Sequence, residues 1–181
     1  MSQTKLSWSV PVALADIPDT GQRFDLVADE ETRVQVANLA GLRALPRLEA
    51  TFDVTRHGAR GLRVKGHVAA TVGQTCVVTL DPVENEIEES VDLVFTPPGI
   101  QSGMADSGDA MPVNLEPETV EPLIDDSVDL GALATEFLLL AIDPYPRKRG
   151  AKFEPPPVDD AKASPFAALA ALKKGRNAKN D

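Results

Sequence analysis

The sequence predicts an α+β fold in which an antiparallel, curled sheet is covered by one main helix, with a shorter helix and a docked C-terminal helix. Two observations support this prediction. Several stretches alternate apolar and polar residues, as strands with one buried face do. One stretch, at 129–142, is apolar at helical spacing over a stripe too wide for a surface helix.

The main helix is predicted to begin at Asp129, whose carboxylate can accept backbone N–H groups of the first turn. Pro144 excludes a further turn at the other end. Glu136 lies two turns after Asp129 and is interpreted either as a solvated carboxylate or as a contact to a partner. The apolar stripe of this helix contains Leu130, Leu133, Phe137 and Leu140.

The other elements follow in chain order. A helix at 29–41 is predicted from the capping residue Asp29 and from Gly41, which can end it. A bulge or an edge position is expected at Glu89, which falls on an inward position. Strands are predicted over residues 6–12, 47–55, 62–72, 87–95 and 120–124. The inward parity of the strand at 62–72 continues through Cys76, Val78 and Leu80.

The 181 residues favour one domain followed by irregular segments. We predict a single α+β domain over 1–146, within which 100–119 forms a mobile acidic loop. A basic, proline-rich linker at 147–163, a short helix at 164–175 and a disordered tail at 176–181 follow. Phe166 lies on the apolar face of that short helix and is a candidate partner contact.

Composition excludes several classes of protein. No run of about 18 apolar residues is present to span a membrane. The first residues lack the apolar core of a signal peptide. A single cysteine, Cys76, excludes an intramolecular disulfide and agrees with a reducing compartment, so we expect a cytoplasmic protein.

The net charge of −10 is unevenly distributed along the chain. Residues 81–146 contain sixteen Asp or Glu and no Lys or Arg, whereas residues 43–67 and 147–181 carry net charges of +4 and +5. Such segregation is either ordinary solvated surface or a division into RNA-binding and protein-binding parts. The candidate RNA-binding residues are Arg47, Arg63, Lys65, His67, Arg147, Lys148, Arg149 and Lys152.

No phosphate-binding glycine loop, paired-histidine helix or nucleophile elbow is present. Cys76 is predicted to point inward and His67 outward, so a buried structural cysteine is favoured over a catalytic pair. One cysteine and two histidines fall short of a zinc site without carboxylates. The sequence thus predicts neither catalytic residues nor a metal or other cofactor.

Three motifs in this order resemble the bacterial YceD family, whose members are described as large ribosomal RNA subunit accumulation proteins. They are Thr75-Cys76-Val77-Val78-Thr79-Leu80-Asp81-Pro82, then Asp129-Leu130 with Glu136-Phe137-Leu138-Leu139-Leu140, then Ser164-Pro165-Phe166-Ala167-Ala168-Leu169. The resemblance spans roughly residues 5–174. It implies a role in ribosomal RNA accumulation without enzymatic activity or assigned active-site residues.

The chain departs from a pattern common in that family. Many members have a second cysteine where Thr79 stands, and further cysteines where residues 144–149 stand. The resemblance therefore assigns no metal ligands here. We expect a non-enzymatic factor for ribosome biogenesis that binds ribosomal RNA or an assembling ribosomal protein, with no membrane or DNA partner. The alternative is a protein-interaction adaptor without RNA contact.

Overall fold

The computed structural model describes residues 8–98 and 120–153. Within them the chain forms seven strands, two α-helices and one 3-10 turn at Leu14–Asp16. In chain order the main elements are β1 (Pro11–Ala13), β2 (Gln22–Val27), α1 (Glu30–Ala40), β3 (Ala44–His57), β4 (Gly61–Thr75), β5 (Pro82–Thr96), β6 (Val120–Pro122), β7 (Ser127–Asp129) and α2 (Leu130–Ala141).

The predicted fold class was wrong. The described residues are mostly β, with 48% strand and 21% helix. Strands β3, β4 and β5 are 14, 15 and 15 residues long, because their polar outward positions continue beyond the stretches that alternate cleanly. The sheet is also mixed, since β5 and β6 run parallel. The predicted C-terminal helix at 164–175 and the acidic loop at 100–119 lie outside the described residues.

Five strands form one sheet in the order β2-β3-β4-β5-β6, and β1 pairs with β7 in a separate two-stranded sheet. Neighbours up to β5 are antiparallel, with Val54 opposite Val64 and Val64 opposite Leu93. Glu89 pairs with Val68 without a register shift, at a point where β6 does not reach. Of the two predictions for Glu89, a bulge or an edge position, the edge position is therefore the one observed among the described strands.

One face of the five-stranded sheet forms the core. Its side chains come from even positions of β3 and β4, such as Phe52 and Val64, both completely buried. α2 packs against β4, β5 and β1, and contributes Leu130 and Leu138 to the same cluster. α1 contacts β3. The core thus joins one face of the sheet to one face of α2.

Both helix N-termini were predicted correctly. The Asp29 side chain accepts from the backbone N–H of Thr32 at 2.8 Å, and Gly41 ends α1 with a positive φ of 65°. The Asp129 carboxylate accepts from the N–H groups of Gly131 and Ala132 at the start of α2. These side chains occupy backbone donors that the first turn leaves unpaired.

The predicted continuation of β4 through Leu80 was wrong. β4 ends at Thr75, and residues 76–81 form a turn, here named the Cys76 turn, closed by a 2.8 Å bond from the Cys76 N–H to the Asp81 carbonyl. Leu80 is 74% exposed with a φ of 61°. Cys76 itself is completely buried, as its parity predicted.

Candidate functional site

Four of the predicted RNA-binding residues share the face of the sheet opposite the core, here named the outer face. Arg47 on β3 lies opposite Thr71 on β4, and the odd-numbered Arg63, Lys65 and His67 continue along β4. Directly opposed residues in an antiparallel pair point to the same side. The predicted grouping of these four side chains is therefore observed.

Carboxylates pair with the cations of the outer face. Arg47 contacts Glu86 at 2.8 Å. Arg63 forms a two-pronged contact with Asp92 at 2.9 and 3.0 Å, and Lys65 reaches the same carboxylate at 3.2 Å. The Arg63 hydrogen bond, followed by that of Lys65, lowers the pKa of Asp92.

The outer face as a whole is acidic. Register places four Lys or Arg on it, namely Arg23, Arg47, Arg63 and Lys65. Register also places seven Asp or Glu on it, namely Asp25, Glu49, Asp53, Glu84, Glu86, Glu88 and Asp92. A phosphate approaching this face meets an excess of negative charge, so the outer face is a poor surface for nucleic acid.

Three of the four residues of the second predicted basic cluster, Arg147, Lys148 and Arg149, lie in a segment that follows α2, at 143–149, here named the anchored segment. The Gln74 side chain donates to the Asp143 carbonyl at 2.8 Å, and the Val77 N–H donates to the Pro146 carbonyl at 2.9 Å. The Tyr145 N–H donates to the Asp143 side chain at 2.8 Å. These bonds attach the segment to the end of β4 and to the Cys76 turn.

Lys148 completes this attachment in two ways. Its backbone N–H donates to Sγ of Cys76 at 3.3 Å, and its ammonium contacts Asp81 at 3.0 Å. The hydrogen bond from Lys148, followed by its charge, lowers the pKa of Asp81. One predicted RNA-binding cation is thus engaged within the protein.

The Cys76 sulfur is a hydrogen-bond acceptor at the centre of this region. Besides Lys148, the N–H groups of Val78 and Thr79 donate to Sγ, both at 3.4 Å. The N–H of Lys148 is the largest influence, followed by Thr79, and together these donors lower the pKa of the thiol to about 6 against the opposing effect of burial. The sulfur therefore holds two chain segments together and is shielded from solvent.

The anchored segment presents both charge and aromatic surface. Pro146 is buried, whereas its neighbours Tyr145 and Arg147 are exposed, Tyr145 by 71%. Arg149 is exposed as well, and neither arginine forms an ion pair within residues 8–98 and 120–153. Guanidinium groups bind phosphate oxygens through a planar fork, and an exposed ring can stack on a base.

Sequence reasoning did not single out Tyr145, although its position between two prolines favours a fixed, extended backbone. Glu136 is exposed on α2, and Phe166 lies outside the described residues. Lys152 begins a second unit that is separate from the one ending at Ala151.

Neither of the two described α-helices is long and apolar enough to cross a membrane. No cluster of three metal-binding side chains occurs in the described part of the chain.

Comparison with known proteins identifies a family that the chain is similar to. The model of a family described as Large ribosomal RNA subunit accumulation protein YceD matches residues 64–173. This range includes most of β4, the Cys76 turn, β5, α2 and the anchored segment. No curated protein and no solved structure matches the chain.

Proposed function

Because the chain belongs to the YceD family and has its role in the accumulation of large-subunit ribosomal RNA, we propose that it is a non-enzymatic factor that contacts RNA directly through the anchored segment. The observation that supports this proposal is the exposure of Arg147, Arg149 and Tyr145 on a segment held by side-chain and backbone hydrogen bonds. A held segment loses less conformational freedom on binding than a free tail would.

The arginines of the outer face differ from those of the anchored segment in their partners. Two of the outer-face arginines, Arg47 and Arg63, are each matched by a carboxylate. Binding RNA there would require breaking these contacts next to further acids. The anchored segment supplies two exposed arginines that form no ion pair with the described residues, so phosphate binding there requires no such exchange.

The proposal is tested by titrating the protein into a fluorescently labelled, single-stranded RNA of mixed sequence over a series of salt concentrations. The double variant Arg147→Ala/Arg149→Ala should bind more weakly, and the slope of log affinity against log salt should fall in magnitude by about 1.4, since each lost phosphate contact on a single strand contributes about 0.7. Tyr145→Ala should cost about 1–3 kcal/mol of binding, and Tyr145→Phe should retain most of it.

The matched control is Arg47→Ala/Arg63→Ala, which removes the same charge from the outer face. Its salt slope should equal that of the wild type, since those arginines are held by carboxylates. If both double variants lose the same slope, the interaction is diffuse and the anchored segment is not the contact. If the wild type does not bind RNA at all, the adaptor alternative replaces the proposal.

A further inference from the structure

We propose that a groove between α2 and the turn that connects β6 to β7 is a docking site for a basic, amphipathic segment of a protein partner. The groove is distinct from the anchored segment and does not rest on the RNA contact proposed above. It encloses about 320 Å³. Its apolar lining comes from Phe95, Pro122, Ile124, Val128, Ala132 and Leu133.

One wall of the groove is exposed apolar surface. Ile124, in the turn between β6 and β7, is 66% exposed, whereas Phe95 and Leu133 at the floor of the groove are buried. Asp125 and Asp126, both with positive φ, form the turn, and the pairing of Ile124 with Ser127 closes it. A large aliphatic side chain beside a shaped apolar floor gains free energy when another apolar side chain covers it.

Every charged residue that lines the groove is acidic, and Ser127 is the one uncharged polar residue of its lining. Asp125 comes from the turn and Glu136 from α2, and no Lys or Arg contributes to the lining. A third acid, Asp129, is already engaged by Ser9, Val10 and the first turn of α2. Since residues 81–146 contain no Lys or Arg, that stretch cannot neutralise the rim.

These features identify the occupant by chemistry. The two carboxylates repel phosphate, which excludes a nucleic acid backbone. Only a hydrocarbon side chain can cover the apolar floor, so a free cation alone would leave that floor exposed to water. A volume of about 320 Å³ is near the lower limit for small-molecule pockets and suits a few side chains of a peptide. Leucine-like anchors flanked by Lys or Arg fit both the floor and the rim.

The test uses a fluorescently labelled synthetic peptide of leucine and lysine, amphipathic when helical, titrated with the full chain. Asp125→Asn/Glu136→Gln should weaken its binding by about tenfold and reduce its salt dependence. Ala132→Phe, which fills the groove, should reduce binding at least as much. The control Glu84→Gln/Glu88→Gln changes the net charge equally on the outer face and should leave binding within about twofold of the wild type.

Two further peptides decide the outcome. Replacing leucine by serine should abolish binding, and replacing lysine by glutamate should do the same. The inference is overturned if the serine peptide binds as well as the leucine peptide, if both double variants weaken binding equally, or if the wild type binds none of them. RNA titration of Asp125→Asn/Glu136→Gln should match the wild type, which separates this inference from the RNA contact.

Discussion

The backbone N–H of Lys148 donates a 3.3 Å hydrogen bond to Sγ of Cys76 across 72 positions of the chain. This bond joins the turn between β4 and β5 to the segment that follows α2. A sulfur that accepts three N–H groups is stabilised as a thiolate. The buried cysteine therefore holds the anchored segment through the hydrogen bond between its sulfur and the Lys148 N–H.

The stability of the protein should depend on the protonation of Cys76. Its folded-state pKa of about 6 lies below the ordinary value of 9.0, so the folded state binds fewer protons than the unfolded state between these values. The contribution of the thiolate to the free energy of unfolding is complete above the unfolded pKa and is lost as pH falls through about 6. Chemical denaturation of the wild type at a series of pH values should therefore show a free energy of unfolding that rises with pH from about 6 to about 9.

Cys76→Ser is the control, because a serine hydroxyl does not titrate in this range. In this variant the rise of the free energy of unfolding with pH should vanish. Thiolate absorbance in the ultraviolet should give a midpoint near pH 6. Labelling of the native thiol should nevertheless be slow, because Cys76 is completely buried. Rapid native labelling, or a midpoint near the ordinary thiol value, would contradict this account.

Leu138 and Leu140 of α2, two positions apart, should differ in their contribution to stability. Leu138→Ala should destabilise the protein by about 2–5 kcal/mol, because Leu138 is completely buried in the core. Leu140→Ala should change stability by less than about 0.5 kcal/mol, because Leu140 is 77% exposed. Phe137 is only half-buried, so Phe137→Ala should cost less than a core aromatic. Urea denaturation measures all three, and equal losses would refute the orientation of α2.

Gly131→Ala should destabilise the protein although alanine is the better helix former by about 1 kcal/mol. A Cβ at Gly131 would lie 2.8 Å from the Trp8 carbonyl oxygen and 3.1 Å from the Ser9 nitrogen, both backbone atoms that cannot rotate away. The clash should outweigh the gain in propensity and cost about 1–3 kcal/mol net. A rise in melting temperature would show that the segment preceding β1 yields to α2.

Asp129→Ala should cost at least the ~0.5–2 kcal/mol of an ordinary N-cap. Its carboxylate also accepts from the Ser9 hydroxyl at 2.6 Å and the Val10 N–H at 2.8 Å, so the change leaves two further donors without their partner. Asp126→Ala, at an exposed turn position, is the matched control and should be much milder. Equal thermal unfolding of the two variants would contradict the dual role of Asp129.

Local chemistry made several features predictable. Asp29 and Asp129 were identifiable as caps because a carboxylate before an apolar helical stretch satisfies unpaired N–H groups. The side of β3 and β4 that faces the core followed from strict alternation around Phe52 and Val64. The same alternation placed Arg47, Arg63, Lys65 and His67 on one face.

Electrostatic partners could not be predicted in this way. The carboxylates that pair with Arg47 and Arg63 are 39 and 29 positions away along the chain, on β5. Only the register of β4 against β5 decides that these cations meet Glu86 and Asp92 instead of solvent. A surface interpreted as basic from its own residues is acidic once its neighbours are included.

Cys76 shows the division between sequence and tertiary structure most directly. Its parity with the buried residues of β4 determined that it lies inside. The turn at 76–81 and the return of the chain to Lys148 determined that its sulfur accepts three N–H groups. Alternation is a property of neighbours in sequence, whereas ion pairs, thiolate stabilisation and the shape of a groove depend on distances between residues that only folding brings together.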